Sequence, residues 1–217
     1  MLNTVIFDMD GLLIDSEPLW EEAGKETLAQ FNVVLTPAQY HSSTGLGTAT
    51  WIEHWFTHFK IDQGHAPAAA IAIVNAAIEK IEARAKPMPG VEHVLKFFKE
   101  RNFKIGLASS SPMKLINMVV NKLGIDHLIS AKSSAENLSY SKPHPLVFLN
   151  CADLLRSAPT DCICFEDSFN GMIAAKAARM KCVVVPARNH QQEARWAAAD
   201  LKLTSLFNFN DLLLAAL

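Results

Sequence analysis

A chain of 217 residues is too long for one minimal core and suits a core domain with a smaller domain inserted or appended. Half of the residues are hydrophobic and 19% are charged, which excludes a disordered or fibrous chain. Twenty Lys and Arg stand against 22 Asp and Glu, for a formal charge of -2, and no basic run is long enough to track a phosphate backbone, so nucleic acid is not an expected partner.

Residues 4–8 form a short apolar run ending in carboxylates and Gly11, the pattern of a buried strand whose tip reaches a site. From Ser16 to about Lys86 the spacing turns helical. Leu19, Ala23, Leu28 and Phe31 share one face, and Trp51, Ile52, Trp55, Phe56 and Phe59 share another. Ile71, Val74, Ile78 and Ile81 recur at three- and four-residue spacing in an Ala-rich stretch that favours helix. Pro87-Met88-Pro89-Gly90 stops this module and reads as a hinge. Beyond it the chain alternates: helix 91–101, strand 104–109, helix 112–123, strand 128–131, helix 145–155, strand 162–165, helix 170–179, strand 182–185 and a terminal helix 206–217. Such alternation calls for a parallel sheet covered on both faces. The expected fold is α/β: a Rossmann-like parallel-sheet core, residues 1–14 and 88–217, with an all-helical cap domain, residues 15–87, inserted after the first strand. Ligands of open α/β sheets bind beyond the carboxyl ends of the strands, so the insert would overhang the site as a lid.

Four segments end those strands or follow them closely: Asp8-Met9-Asp10-Gly11, Ser109-Ser110-Ser111, Ser141-Lys142-Pro143-His144-Pro145 and Glu166-Asp167-Ser168. Phosphoryl transfer needs an in-line nucleophile, a cation, donors for the phosphoryl oxygens and a proton for the leaving group. Asp8 and Asp10, two apart on an extended segment, point to the same side; Asp8 would attack and Asp10 would shuttle the proton. Mg²⁺ prefers oxygen ligands, which Asp8, Asp167 and the Asp10 carbonyl offer, with Glu166 a weaker candidate. Ser109, just before a helix, suits phosphate oxygens, and Ser110 would add a backbone donor. Lys142 reads as a mobile point charge that offsets charge on the phosphorus and the nucleophile. Singly, an Asp pair caps turns, serine runs are loop chemistry, and a lysine is solvated; their order at strand ends is what argues for catalysis.

The segments FDMDGLLIDSE, GLASSS, YSKPHP and FEDSFNGMIAAKAARM resemble the haloacid dehalogenase-like hydrolase superfamily over nearly the whole chain, and most of all its sugar-phosphate phosphatases. The resemblance implies Asp8 as nucleophile and Asp10 as general acid/base; Mg²⁺ on Asp8, Asp10 and Asp167; and substrate phosphate held by Asp8, Asp10, Ser109, Ser110 and Lys142. It implies a small phosphorylated substrate, of the sugar or sugar-alcohol kind. Related caps often carry an arginine after the Gly-Leu of the specificity loop, where this chain reads Thr44-Gly45-Leu46-Gly47-Thr48. In the related β-phosphoglucomutases a cap arginine grips a second phosphate, so its absence leans toward hydrolysis, with a phosphosugar isomerase as the alternative. A receiver-type signalling module would place its phosphorylated Asp in a later strand and needs no helical insert.

No basic segment followed by a long apolar run opens the chain, and no window reaches the roughly 18 apolar residues that cross a bilayer. Cys151, Cys162, Cys164 and Cys182 lack metal-finger spacing and read as buried thiols of a reducing compartment. A cytoplasmic, monomeric protein is expected. His54 and His58 stand four apart but lack the following Glu of a metalloprotease pattern, so they read as polar cap surface. Trp20 and Trp51 suit either sugar stacking or cap core, and Asn170 with Gly171 suits the start of the helix after Asp167.

Overall fold

The computed structural model describes residues 2–217. Strand β1 (Thr4–Phe7), buried throughout, lies mid-sheet between β2 (Lys104–Ser109) and β4 (Cys162–Glu166). With β3 (Ala131–Ser134), β5 (Lys181–Val184) and β6 (Leu201–Lys202) they form one parallel six-stranded sheet in the order β3-β2-β1-β4-β5-β6. Alternation along the strands feeds two cores. Val5, Phe7, Ile163 and Phe165 join Phe98 and Phe209 on one face; Ile6, Cys162 and Cys164 join Phe148, Cys151 and Met172 on the other. Both faces are covered, which is why the strands read as unbroken apolar runs. The Phe7 ring lies 5.0 Å from Phe165 and 6.0 Å from Phe98, so the site-bearing strand is anchored by aromatic edges and faces.

Four helices separate β1 from the rest of the sheet: α1 (Glu17–Ala29), α2 (Pro37–Ser42), α3 (Thr48–Phe59) and α4 (Ala66–Arg84). The sheet is covered by α5 (Val91–Glu100), α6 (Met113–Lys122), α7 (Leu146–Leu154) and α8 (Phe169–Ala177), with α9 (Asp211–Ala215) near the end. Among the described residues no helix is long and apolar enough to cross a membrane. The chain leaves and re-enters the sheet layer through two paired segments: Asp15 N donates to Lys86 O at 2.9 Å, Met88 N to Leu13 O at 3.0 Å, and Ile14 bridges Pro87.

Several expectations shift. The buried residues of α4 are Ala66, Ala69, Ile73, Ala77, Ile78 and Ile81, so Ile78 and Ile81 of the expected set are buried while Ile71 is 63% exposed; small alanines take its place where α1 packs against α4. The third strand is Ala131–Ser134 rather than 128–131: residues 126–128 form a tight turn, and an edge strand of sequence AKSS has no apolar signature. The terminal helix 206–217 is a turn at 206–208 followed by α9, which Asn210 caps through Leu213 N. The two-residue β6 left no periodic signal. His54 and His58 are exposed on α3, and the four cysteines are buried and unpaired. Burial pushes the Cys151 thiol up to about 12, so it is inert as a nucleophile.

Candidate active site

Register brings the catalytic candidates together. Phe7 stands opposite both Leu107 and Phe165, so Asp8, Ser109 and Glu166 emerge at the same carboxyl end of three adjacent strands, the place where open parallel sheets bind ligands. Asp8 N continues the ladder to Phe165 O at 3.0 Å before the chain turns. The turn needs Gly11, whose φ is +73° and where a Cβ would overlap Asp167 Oδ2. That turn returns the chain so that Ser16 and Trp20, on the first turn of α1, face Asp10.

Lys142 is fully buried, with its Nζ donating to Asp8 Oδ1 and, at 2.5 Å, to Glu166 Oε1. It is a fixed charge rather than the mobile one read from the sequence. Glu166 is held in turn: Oε2 accepts from the backbone N–H groups of Asp167 and Ser168, both at 3.1 Å, and from Ser168 Oγ at 3.0 Å. Gly171 lets α8 close over it, since a Cβ there would overlap the carboxylate. Ser168, not Asn170, caps that helix, accepting from Gly171 N at 3.0 Å.

Asp10 is gripped from both sides. Its Oδ1 accepts from Ser16 Oγ at 2.7 Å and Trp20 Nε1 at 2.8 Å; its Oδ2 accepts from Ser111 Oγ at 2.7 Å and Ser109 Oγ at 3.2 Å. These four donors fix the carboxylate orientation.

The cluster is short of positive charge. Burial raises Asp8 well above the usual carboxylate range, Lys142 opposing and Glu166 and Asp10 adding to the rise. Burial, then Glu166, Glu17 and Asp8, does the same to Asp167. Burial, then Asp10 and Glu166, pushes Glu17 up to about 8. Burial opposes the charge on Lys142, but Asp8 and Glu166 outweigh it and lift Lys142 above its ordinary value. Carboxylate oxygens of Asp8, Glu166 and Asp167 lie within 4.8 Å of one another. An oxygen-only donor set, buried at Asp8 and Glu166 and half-buried at Asp167, with excess negative charge fits a hard divalent cation such as Mg²⁺. Both Glu166 oxygens are already engaged, which leaves Asp8 and Asp167 as the carboxylates available to it, while the Asp10 side chain is turned to its four donors.

A cavity of about 80 Å³ joins these groups to the insert, lined by Asp8, Asp10, Ser109, Ser110, Lys142 and Asp167 on the sheet side. Trp20, Tyr40, Thr44, Leu46 and Trp51 close the other side. Ser110 Oγ donates to Gly45 O at 3.1 Å and Asn170 Nδ2 to Thr44 O at 2.8 Å, so the core grips the loop that carries the Gly-Leu pair.

The sequence pattern of the haloacid dehalogenase-like hydrolases matches residues 2–179. The chain is 40% identical to hexitol phosphatase B of Escherichia coli (strain K12) over 202 residues, covering 93% of this chain and 91% of that protein. The chain belongs to the haloacid dehalogenase-like hydrolases. A second relative, fructose-1-phosphate phosphatase YqaB of the same strain, is 29% identical over 83% of this chain and 95% of that protein. The fold is also that of β-phosphoglucomutase from Clostridium difficile, with a TM-score of 0.86 and 25% identity over 99% of this chain and 96% of that one.

The sequence reading of this hydrolase missed the partners that hold its acids. Ser16, Trp20 and Ser111 bond Asp10, and Glu17 adds charge, but each is distant from Asp10 in sequence or follows a turn. The one available signal was Gly11, which implies a reversal that returns the next segment to the acids. Trp51 is buried within the insert, its Nε1 donating to Ser43 Oγ at 2.9 Å, and it also lines the cavity. Trp20 is half-buried and lines the cavity, with its N–H donated to Asp10 Oδ1 at 2.8 Å.

Proposed function

We propose that this hydrolase is a Mg²⁺-dependent phosphatase of small sugar or sugar-alcohol phosphate monoesters, working through an aspartyl-phosphate on Asp8. The observation that carries the reading is the buried Asp8–Lys142–Glu166 ion-pair chain at the edge of a cavity that also holds Asp10 and Asp167. Lys142 keeps Asp8 oriented and offsets charge as the carboxylate oxygen attacks phosphorus and the ester P–O bond breaks. Asp10, protonated on Oδ2 once the bound phosphoryl group draws the Ser109 and Ser111 hydroxyls from that oxygen, gives this proton to the leaving alkoxide, then takes one from the water that attacks the phosphorus of the acyl phosphate and frees Asp8. Ser109 and the Ser110 N–H group hold phosphoryl oxygens. Mg²⁺ on Asp8, Asp167 and the Asp10 carbonyl would supply charge neutralisation at the phosphoryl oxygens. Residues 15–87 act as a lid whose Trp20, Tyr40, Thr44 and Trp51 face the sugar end of the substrate.

The names of the two phosphatase relatives support the substrate class. Likeness to a β-phosphoglucomutase raises isomerisation as the second reading. Among the described residues, however, Lys142 is the only Lys or Arg lining the cavity, so nothing on the lid side grips a second phosphate. A panel of hexose, pentose and hexitol monophosphates with Mg²⁺ tests the proposal. Inorganic phosphate released from that panel supports it; conversion of β-glucose 1-phosphate to glucose 6-phosphate without release would reverse it.

A further inference from the structure

Across a cavity that Glu17 and Asp167 also line, the insert meets the core through a second group of ionisable side chains. His41 belongs to α2, whereas His190, Glu193 and Arg195 follow β5 in the core. Glu193 Oε1 lies 2.7 Å from His190 Nδ1 and 3.4 Å from His41 Nε2. The two imidazole rings stack with centroids 3.4 Å apart at 8°. Arg195 closes the group, its Nη2 against His41 Nε2 and its Nε against Glu193 Oε2. All line a cavity of about 610 Å³ and remain partly exposed, at 26%, 25% and 34% for His41, His190 and Glu193.

We propose that His41, His190 and Glu193 form a second cation site, for a borderline transition-metal ion such as Zn²⁺ or Co²⁺, which ties the helical insert to the core. The donor chemistry separates it from the site at the sheet end. Two imidazole nitrogens and one carboxylate, with a position left for water, suit Zn²⁺ and Co²⁺, while Mg²⁺ favours oxygen donors alone. The geometry is close to what coordination needs. One atom from each residue lies within 4.8 Å of the others. With bonds of about 2.0–2.1 Å, ligand atoms of a tetrahedral ion stand about 3.3 Å apart. The His41 to Glu193 separation of 3.4 Å already fits, and the 2.7 Å between His190 and Glu193 has to open by less than an ångström while the parallel rings fan toward the ion.

Arg195 Nη2 stands against His41 Nε2, on the side an ion would take. Arg195 has to yield its place. It has somewhere to go, with its guanidinium already 5.3 Å from the Phe169 ring and 5.2 Å from Trp196. It gives up its ion pair with Glu193 Oε2, whose charge the ion would then offset. Without the ion the same residues form an ion-paired contact between insert and core.

Titration of the whole, Mg²⁺-saturated protein with Co²⁺, followed by visible absorption and by Zn²⁺ competition in calorimetry, tests the site without reference to turnover. The expected result is one equivalent of Co²⁺ with imidazole-type d–d bands, displaced by Zn²⁺. That equivalent should disappear in His41→Ala and in His190→Ala and persist in Asp167→Asn. No bound equivalent in the native protein overturns the proposal, as does binding unchanged in both His variants or binding lost in Asp167→Asn while the His variants retain it. If a His variant loses its far-UV circular dichroism, Glu193→Gln, which preserves size, is judged by the same criterion.

Discussion

Glu166 holds Lys142 against the nucleophile: Lys142 Nζ reaches Glu166 Oε1 at 2.5 Å, and its other partner is Asp8. Among the described residues Lys142 has no other ion-pair partner, so Glu166 serves as the counter-charge that lets one lysine be desolvated beside Asp8. Removing Glu166 leaves Lys142 with Asp8 alone and leaves the Asp167 N–H, the Ser168 N–H and the Ser168 hydroxyl without their buried acceptor, at a cost of about 1–3 kcal/mol. Glu166→Ala is therefore expected to lower unfolding free energy by about that amount and to abolish turnover. Urea denaturation checks the first part, and a loss below about 1 kcal/mol, the size of an exposed pair, would mean the chain is not energetically coupled.

Trp20→Phe keeps the aromatic bulk on α1 and removes the donor to Asp10 Oδ1. A hydrogen bond to a charged group contributes about 1.5–3 kcal/mol, so kcat should fall by about tenfold or more, with KM little changed. Steady-state kinetics on the preferred monoester reads this directly; an unchanged kcat would show that Ser16, Ser109 and Ser111 suffice to orient Asp10.

At Gly11 the φ of +73° alone would cost alanine about 1–2 kcal/mol. The added Cβ would also displace the Asp167 carboxylate. Gly11→Ala should accordingly weaken Mg²⁺ binding out of proportion to its effect on folding. Calorimetric titration with Mg²⁺, set beside a thermal melt, separates the two effects, and equal Mg²⁺ affinity in both proteins would contradict it.

The acid cluster makes metal-free stability fall as pH rises. Glu17 goes from an ordinary value of 4.5 to about 8 in the fold, so the folded chain binds the proton more tightly than the unfolded one. Stability from this group is fully present below pH 4.5 and is lost as pH climbs toward 8. Glu17→Gln, which never ionises, should be more stable than the native protein at pH 8 in chelator and indistinguishable at pH 4. Urea melts at both values give the answer, and added Mg²⁺ should shrink the difference at pH 8.

Much of this was legible from residue order. Both-face burial makes β1, β2 and β4 read as apolar runs, and the acids, serines and lysine that follow them mark the sheet end. What was not legible depends on approach between distant segments. The burial of Lys142 follows from Asp8 and Glu166, which are 134 and 24 residues away in sequence. Ile71 misled because helical period alone does not choose a face when alanines pack as well as isoleucine against a close neighbour. Strand β3 was displaced because an edge strand with polar residues carries no periodic mark.

The most direct test of the account is to trap the covalent intermediate. Rapid acid quench of the Mg²⁺-loaded protein turning over a radiolabelled sugar phosphate should leave hydroxylamine-labile label on the peptide containing Asp8, and none in Asp8→Asn. Product release with no label at any quench time, or label that persists in Asp8→Asn, would contradict Asp8 as the nucleophile.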